Sequence, residues 1–145
     1  MKTRRTKISD LGDLLFLWKK VGLSVSSRAR EKVEIVEMIK LNSSSCLVII
    51  ENDKIIGSIF GTFNGRRAWI YRLAIDPDCQ GRGYGTALVE KAEMALKSRK
   101  ATKILFWMDR SNFKAHSFYK KNGYKILKDD GIIMEKDLWL SESIK

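Results

Sequence analysis

The sequence predicts a single α/β domain over residues 1–145, built on a mixed β-sheet flanked by helices. Three observations support this fold class. The chain has the length of one domain. Its apolar residues recur first at helical spacing, then in short strand-like runs, and then in alternating helix and strand segments. Turn residues separate these runs, and the resulting order is βααβββαβαββ, with antiparallel strands first and parallel strands in the middle.

The first half of the chain predicts one strand, two helices and a three-stranded meander. Ser9 or Asp10 is expected to cap the first helix. Asn64-Gly65 predicts a type I′ hairpin turn, because both residues tolerate a positive φ. The predicted strands are residues 3–8, 46–51, 54–62 and 68–75, and the second helix is 28–41. The apolar face expected on that helix comprises Val33, Val36 and Ile39.

The second half predicts alternating helices and strands. Residues 84–98 form the third helix, 103–109 a buried strand and 111–121 a short helix, which Gly123 ends in a left-handed conformation. A last hairpin joins residues 124–127 to 132–136 across the turn at 129–131.

Composition limits the classes of function without selecting one. Lys and Arg number 28 against 17 Asp and Glu, a formal net charge of +11, but the basic residues are spread along the chain and are expected to form a mostly solvated surface. No apolar run reaches the length of a membrane span, and no signal peptide begins the chain. Cys46 and Cys79 lack metal-binding spacing, so we expect no metal and no disulfide. A cytoplasmic protein is the resulting expectation.

A glycine-rich turn between a strand and a helix is the most informative segment. Gln80-Gly81-Arg82-Gly83-Tyr84-Gly85 leads from the strand 68–75 into the third helix. Glycines let a ligand approach bare N–H groups, and the N-terminus of a helix attracts anions. The pattern therefore indicates a phosphate site, while tight-turn chemistry alone is the competing interpretation.

Two common nucleotide motifs do not fit this turn. The dinucleotide fingerprint G-x-G-x-x-G fails because Thr86 and Leu88 stand where a third glycine is required. The P-loop fails because no Lys-Ser or Lys-Thr follows the glycines.

The pattern Q/R-x-x-G-x-G/A does fit residues 80–85, and here the sequence resembles the GNAT superfamily of acetyl-coenzyme A-dependent N-acetyltransferases. The family's second motif, N-x-x-A-x-x-F-Y-x-x-x-G-[FY], is matched from residue 112 to residue 124. The two motifs stand in the family's order and cover residues 69–126.

The resemblance implies a sheet splayed between its fourth and fifth strands, with acetyl-CoA as cosubstrate in the opening. The pantetheine arm would pair with the strand backbone, and the pyrophosphate would rest on the glycine turn. The cofactor-binding residues implied are Leu73, Ala74, Ile75, Gln80, Gly81, Arg82, Gly83, Tyr84, Gly85, Thr86, Asn112 and Tyr119.

Tyr119 matches the family's tyrosine that protonates the leaving thiolate, whereas core packing is its alternative role. Asn112 is either a helix cap or a cofactor contact. The general base stays open, because Trp69 stands where several members carry a glutamate. Tyr71, Arg72, Asp109 and an ordered water are the candidates.

The resemblance implies transfer of an acetyl group to a primary amine of a small molecule, peptide or protein by direct attack on the thioester. Aromatic side chains such as Trp69 and Trp107 suggest an apolar or cationic acceptor, whereas core packing is the favoured interpretation for at least two of the three tryptophans Trp18, Trp69 and Trp107. The alternatives are a non-catalytic acyl-CoA-binding module, including a GNAT fold without turnover, and a basic nucleic-acid-binding module. No nucleic-acid signature supports the last one. No membrane partner is expected, and a homodimer through edge strands or the last hairpin stays open.

Overall fold

The computed structural model describes residues 2–24, 29–128 and 131–138. The chain divides into two compact units, residues 1–107 and residues 108–145. The predicted single domain over residues 1–145 stays a prediction. The first unit contains the strands β1 (Lys2–Arg5), β2 (Cys46–Glu51), β3 (Lys54–Phe63), β4 (Ala68–Ile75) and β5 (Ile104–Leu105), and the helices α1 (Leu11–Lys20), α2 (Ala29–Leu41) and α3 (Tyr84–Ser98). The second contains α4 (Phe113–Lys121).

Helices α1 and α2 form the hydrophobic core of one sheet face. In α1, residues Leu14, Leu17 and Trp18 are buried at the i, i+3, i+4 spacing of one helical stripe. In α2 the buried residues are Ile35 and Ile39.

The predicted apolar face of α2 is wrong at Val33, which is 61% exposed. Apolar residues occupy several sides of this helix, and their spacing alone does not choose among the overlapping stripes. The choice is made by packing, because Ile35 and Ile39 join the cluster that includes Val48 and Phe60 of the sheet. The predicted start of the helix at Arg28 lies outside the described residues.

The five strands form one mixed sheet in the order β1-β2-β3-β4-β5. The first four are antiparallel, and β5 is parallel to β4. Strands β2 and β3 are joined by the two-residue turn Asn52-Asp53, in which both φ angles are positive, at 51° and 61°. The type I′ turn predicted at Asn64-Gly65 is therefore wrong: Phe63 pairs with Ala68 across a four-residue loop, in which the Asn64 side chain accepts the N–H groups of residues 66 and 67.

Helix α3 covers the other face of the sheet through Leu88, Val89, Ala92 and Leu96, all of which are fully buried. Close approach explains a glycine in β3. A Cβ at Gly61 would lie 3.0 Å from the Leu96 Cδ1 atom. The helix predicted over residues 84–98 is confirmed, and Leu88, Ala92 and Leu96 lie on its buried side.

The C-terminal part departs from the prediction. Strand β5 spans two residues instead of 103–109, because its pairing with β4 stops after Trp69 and Leu105. In the described residues 124–128 and 131–138 no strand forms, so the predicted final hairpin is wrong there; its turn at residues 129–130 lies outside them. Ile126, Ile132 and Met134 are 65%, 83% and 85% exposed. An isolated hairpin is marginal in water without a third strand or a packed face, and exposed apolar side chains supply neither.

Candidate active site

The edge of β4 that faces β5 is largely open. Parallel pairing joins Ala68 to Ile104 and Trp69 to Leu105, and within the described residues no strand pairs with this edge beyond Trp69. The backbone from Ile70 to Ile75 therefore keeps donors and acceptors on that side. The splay predicted between the fourth and fifth strands is present, and Leu73, Ala74 and Ile75 lie along it.

A β-bulge redirects β4 just before these residues. Ser58 pairs with Ala74 and Phe60 pairs with Tyr71, so two residues of β4 stand opposite one residue of β3. The bulged residue Arg72 has a φ of 55°, a left-handed conformation that costs a non-glycine residue roughly 1–2 kcal/mol. The surrounding structure therefore has to hold Arg72 in this conformation.

Two buried side chains from other elements hold the bulge. The Trp18 Nε1–H group donates to the Ser58 Oγ atom over 2.9 Å, and that hydroxyl donates to the Arg72 carbonyl over 2.8 Å. Trp18 and Ser58 are both fully buried. The hydroxyl therefore satisfies two polar groups at once and fixes where the Arg72 carbonyl points.

The Arg72 side chain links β4 to the segment between α1 and α2. Its guanidinium donates to the Ser24 carbonyl over 2.7 Å and to the Glu31 carboxylate over 3.1 Å, and it lies 4.7 Å from the centre of the Trp18 ring. Arg72 is thus a cationic tie between elements, which removes it from the candidates for a general base.

The glycine turn forms an open N-terminus for α3. Gly81 and Gly83 have φ angles of 79° and 80°, and a Cβ atom at either would meet nothing within 4 Å. Glycine is needed at both positions because their φ angles are positive, and not because a side chain would clash with a neighbour. Gly83 caps the helix without a side-chain hydrogen bond, and its carbonyl accepts the Ala87 N–H group. The N–H groups of residues 84–86, in the first turn of α3, have no acceptor within the helix. No acidic residue stands in that turn.

Side chains of the turn hold its shape. The Gln80 Nε2–H group donates to the Ile75 carbonyl over 3.1 Å, which joins the turn to the end of β4. The Tyr84 hydroxyl donates to Glu51 over 2.9 Å, and the exposed Arg82 guanidinium lies 3.5 Å from the same carboxylate. The structure therefore brings the predicted residues of β4 and of the glycine turn together.

An ion pair steadies the entry to the turn. The Asp76 carboxylate accepts the Asp78 N–H group and lies 3.0 Å from the Lys20 ammonium of α1. The backbone hydrogen bond from Asp78 and the contact with Lys20 lower the pKa of Asp76. This carboxylate is therefore anionic at neutral pH and serves the turn as a cap.

The second unit contains Asn112 and Tyr119. The Asn112 Oδ1 atom accepts the Ala115 N–H group over 3.1 Å, so the residue acts as the N-cap of α4. Tyr119 is half-buried, with edge-on ring contacts to Phe118 and Tyr124 at 5.2 and 5.5 Å between centroids. Burial raises the pKa of Tyr119 to about 12, because the phenolate is disfavoured away from water. The hydroxyl is accordingly protonated at neutral pH.

Metal-ligand clusters and membrane-spanning helices are both absent from the described residues. No group of three or more His, Cys, Asp or Glu residues there is arranged to hold a metal ion. None of the helices in residues 2–24, 29–128 and 131–138 has both the length and the apolar content of a membrane span.

Comparison with known proteins identifies the family. The sequence profile of the acetyltransferase (GNAT) family matches residues 15–124. The chain belongs to the GNAT family of acetyltransferases. An acetyltransferase from Yersinia pestis is 28% identical over 138 residues, covering 95% of this chain and 96% of that protein.

Solved structures share the GNAT fold. Ard1 from Thermoplasma volcanium superposes with a TM-score of 0.78 at 19% identity, over 88% of this chain and 84% of that one. The PaiA N-acetyltransferase from Thermoplasma acidophilum, solved in complex with coenzyme A, gives 0.74 at 22% identity, over 90% and 92%. Family membership makes this GNAT protein an acyltransferase.

Sequence reasoning missed the bulge and its support in this GNAT chain. Arg72 carries no signal of a positive φ, since neither Gly nor Asn occupies the position. One signal was present: Ser58 stands inside the apolar run of β3, and a hydroxyl at a buried strand position requires a partner.

Proposed function

We propose that this chain transfers the acetyl group of acetyl-CoA to a primary amine of a small molecule, peptide or protein, by direct attack of the amine on the thioester. The observation that carries the proposal is the open N-terminus of α3 beside the unpaired edge of β4. The Gln80 side chain donates to the Ile75 carbonyl, so the glycine turn and the open edge of β4 form one continuous surface.

The glycine turn fits a pyrophosphate. Bare N–H groups at Gly81, Gly83 and Gly85, together with those of Thr86 at the start of α3, offer donors to an anion, and the helix dipole adds a partial positive charge. The side chains of Gln80 and Tyr84 bind the turn to its neighbours and leave the backbone for the ligand. Arg82 is 53% exposed on its side chain and adds a cation at the rim.

The edge of β4 fits a pantetheine arm. Amide groups of the arm pair with Leu73, Ala74 and Ile75 as an added strand would, because that edge lacks a protein partner among the described residues. The bulge at Arg72 sets the direction of these N–H groups, and one of them is the proposed donor to the oxyanion that develops during acetyl transfer.

Tyr119 is the proposed general acid for the leaving thiolate. Its raised pKa keeps the proton on the phenol over the whole neutral range, so the group donates and does not repel the thiolate. Asn112 is proposed as a cofactor contact through its remaining polar atoms, in addition to its role as a cap.

Among the candidates for the base, Asp109 is poorly suited. Hydrogen bonds from the side chain and the backbone of Ser111 lower the pKa of its carboxyl, which weakens it as a proton acceptor. Tyr71, which is 44% exposed on β4, and an ordered water therefore remain as the proposed proton acceptors.

Two measurements on the full chain test the proposed function. Calorimetric titration with coenzyme A and with acetyl-CoA is expected to show saturable binding of both. Release of free thiol from acetyl-CoA with a panel of primary amines is expected to exceed the rate without amine. A folded protein that binds neither thioester nor free coenzyme A contradicts the proposal.

A further inference from the structure

A wide pocket opens at the end of the sheet where α2 stops, beside the β3–β4 loop and the end of α3. Its volume is about 860 Å³. Phe60 belongs to the core beneath α1 and α2 and pairs with Tyr71, while Thr62 pairs with Trp69 two residues farther along β3. Because side chains two apart in a strand share a face, Thr62, Trp69 and Tyr71 continue the sheet face under these two helices beyond the end of α2 at Leu41.

The pocket is both aromatic and cationic. Trp69, Tyr71 and Phe63 supply rings, and Arg67 and Arg99 supply two positive charges, whereas no Asp or Glu is among the described residues that line it. Neither arginine forms an ion pair within the described part of the chain. Other carboxylates of this unit, such as Glu31 and Glu51, are paired with arginines elsewhere.

Arg99 is held in place by a buried side chain. The Asn42 Oδ1 atom accepts the Arg99 Nη1–H group over 2.8 Å and the Phe63 N–H group over 2.9 Å. Asn42 is 6% exposed, and its Nδ2 atom donates to the Met38 carbonyl. The Arg99 guanidinium also lies 5.5 Å from the centre of the Phe63 ring. Its charge is therefore fixed at the rim while part of its five-donor fork stays available.

The pocket adjoins the proposed thioester site through one strand. Tyr71 lines the pocket and directly precedes the bulge at Arg72, whereas Arg67 precedes Leu73 by six residues, at most roughly 20 Å along a strand. An acceptor that reaches both the arginine and the thioester therefore has to be an extended amine. We infer that the acceptor amine carries a carboxylate or phosphate group, which Arg67 and Arg99 bind while the amine extends along β4 toward Leu73. This inference rests on the proposed function and names the substrate class of the same site. It differs from the apolar or cationic acceptor that aromatic residues alone suggested, because the charges around the rings are positive.

Matched pairs of amines test the inference in turnover. 8-Aminooctanoate is compared with 8-aminooctanamide, and 8-aminooctyl phosphate with 8-aminooctanol, by thiol release from acetyl-CoA. In at least one pair, the anionic amine is expected to have a kcat/KM about tenfold or more above that of its neutral partner, since one charge-assisted hydrogen bond is worth roughly that factor. The pair with the larger ratio distinguishes a carboxylate from a phosphate acceptor. Equal or faster turnover of both neutral members overturns the inference.

Binding of amine-free probes gives a readout that needs no turnover. Calorimetry with 3-phenylpropionate, phenyl phosphate and 3-phenylpropanamide is expected to show an affinity about tenfold higher for at least one anion than for the neutral amide. Arg67→Gln is expected to remove that preference. Arg66→Gln is the matched control, because it removes the same charge from an exposed neighbour that does not line the pocket.

The outcomes separate the two proposals. If Arg66→Gln abolishes the anion preference as strongly as Arg67→Gln does, the preference comes from the general basic charge of the chain and the inference is overturned. The inference is also overturned if neither anion binds across the millimolar range. Failure of the proposed function appears in a different measurement, the titration with coenzyme A, which Arg67→Gln is expected to leave within about twofold of the wild type.

Discussion

Replacing Ser58 by alanine tests whether one buried hydroxyl supports the bulge of β4. The Ser58 Oγ atom accepts from Trp18 Nε1 and donates to the Arg72 carbonyl, so its removal leaves two polar groups without their partner. Each unsatisfied buried group costs roughly 1–3 kcal/mol, and the Arg72 residue is only half-buried. We therefore expect Ser58→Ala to lower the free energy of unfolding by about 2–4 kcal/mol, a large part of the stability of a domain.

Urea unfolding followed by tryptophan fluorescence measures this loss, with an unchanged m-value as the sign that only stability has moved. Ser98→Ala is the control, because that hydroxyl donates to the Met94 carbonyl on the exposed side of α3. It is expected to cost at most about 0.5 kcal/mol. The double variant Trp18→Phe/Ser58→Ala is expected to lose less free energy of unfolding than the two single variants lose together, since both changes remove the same hydrogen bond.

The same variant links the bulge to turnover. If the bulge directs the N–H groups of residues 73–75, a shift of about 1 Å there lowers the rate of acetyl transfer on the order of a hundredfold. A Ser58→Ala protein that unfolds at the wild-type urea midpoint and turns over at the wild-type rate would refute the proposed role of this hydroxyl.

Three further predictions concern the glycine turn, the proposed acid and the cysteines. Gly83→Ala is expected to weaken coenzyme A binding by about tenfold or more in calorimetry, because alanine disfavours the φ of 80° that aims the amides; Gly22→Ala, with a φ of 85° away from the turn, should keep the affinity. Tyr119→Phe is expected to lower kcat by roughly 10²–10⁴ with the fold intact, and near wild-type turnover would exclude the residue as the acid. Burial raises the pKa of Cys46 to about 12, so the free energy of unfolding should fall as pH rises from about 9 toward 12, where the unfolded thiol ionises first. A thiol reagent at neutral pH should therefore label only Cys79 in the native protein and both cysteines in denaturant, and rapid native labelling of Cys46 would contradict its burial.

Much of the fold followed from spacing in the sequence. The order of elements through α4 could be predicted because hydrophobic periodicity distinguishes helices from strands. The face of α2 could not, because apolar residues such as Val33 and Ile35 lie on nearly opposite sides of the helix. The final hairpin was also predicted incorrectly, since an alternating pattern does not provide the neighbouring strand that a hairpin needs.

The candidate site shows the same division. The glycine turn could be found from residues 80–86, because positive φ angles and bare amides are properties of glycine itself. The pocket beside Trp69 could not, because Asn42, Arg67 and Arg99 are far apart in the chain and meet only when α2, the β3–β4 loop and the end of α3 pack together.

The sequence by itself determined the family, the order of elements through α4 and the position of the glycine turn, because each of these depends on residues that are neighbours in the chain. The tertiary structure alone decided that Arg72 adopts a left-handed conformation. Three contacts hold it there: the Ser58 hydroxyl, the Ser24 carbonyl and the Glu31 carboxylate. They come from other elements, and the free energy that stabilises an unfavourable φ arises only when those elements are packed against β4.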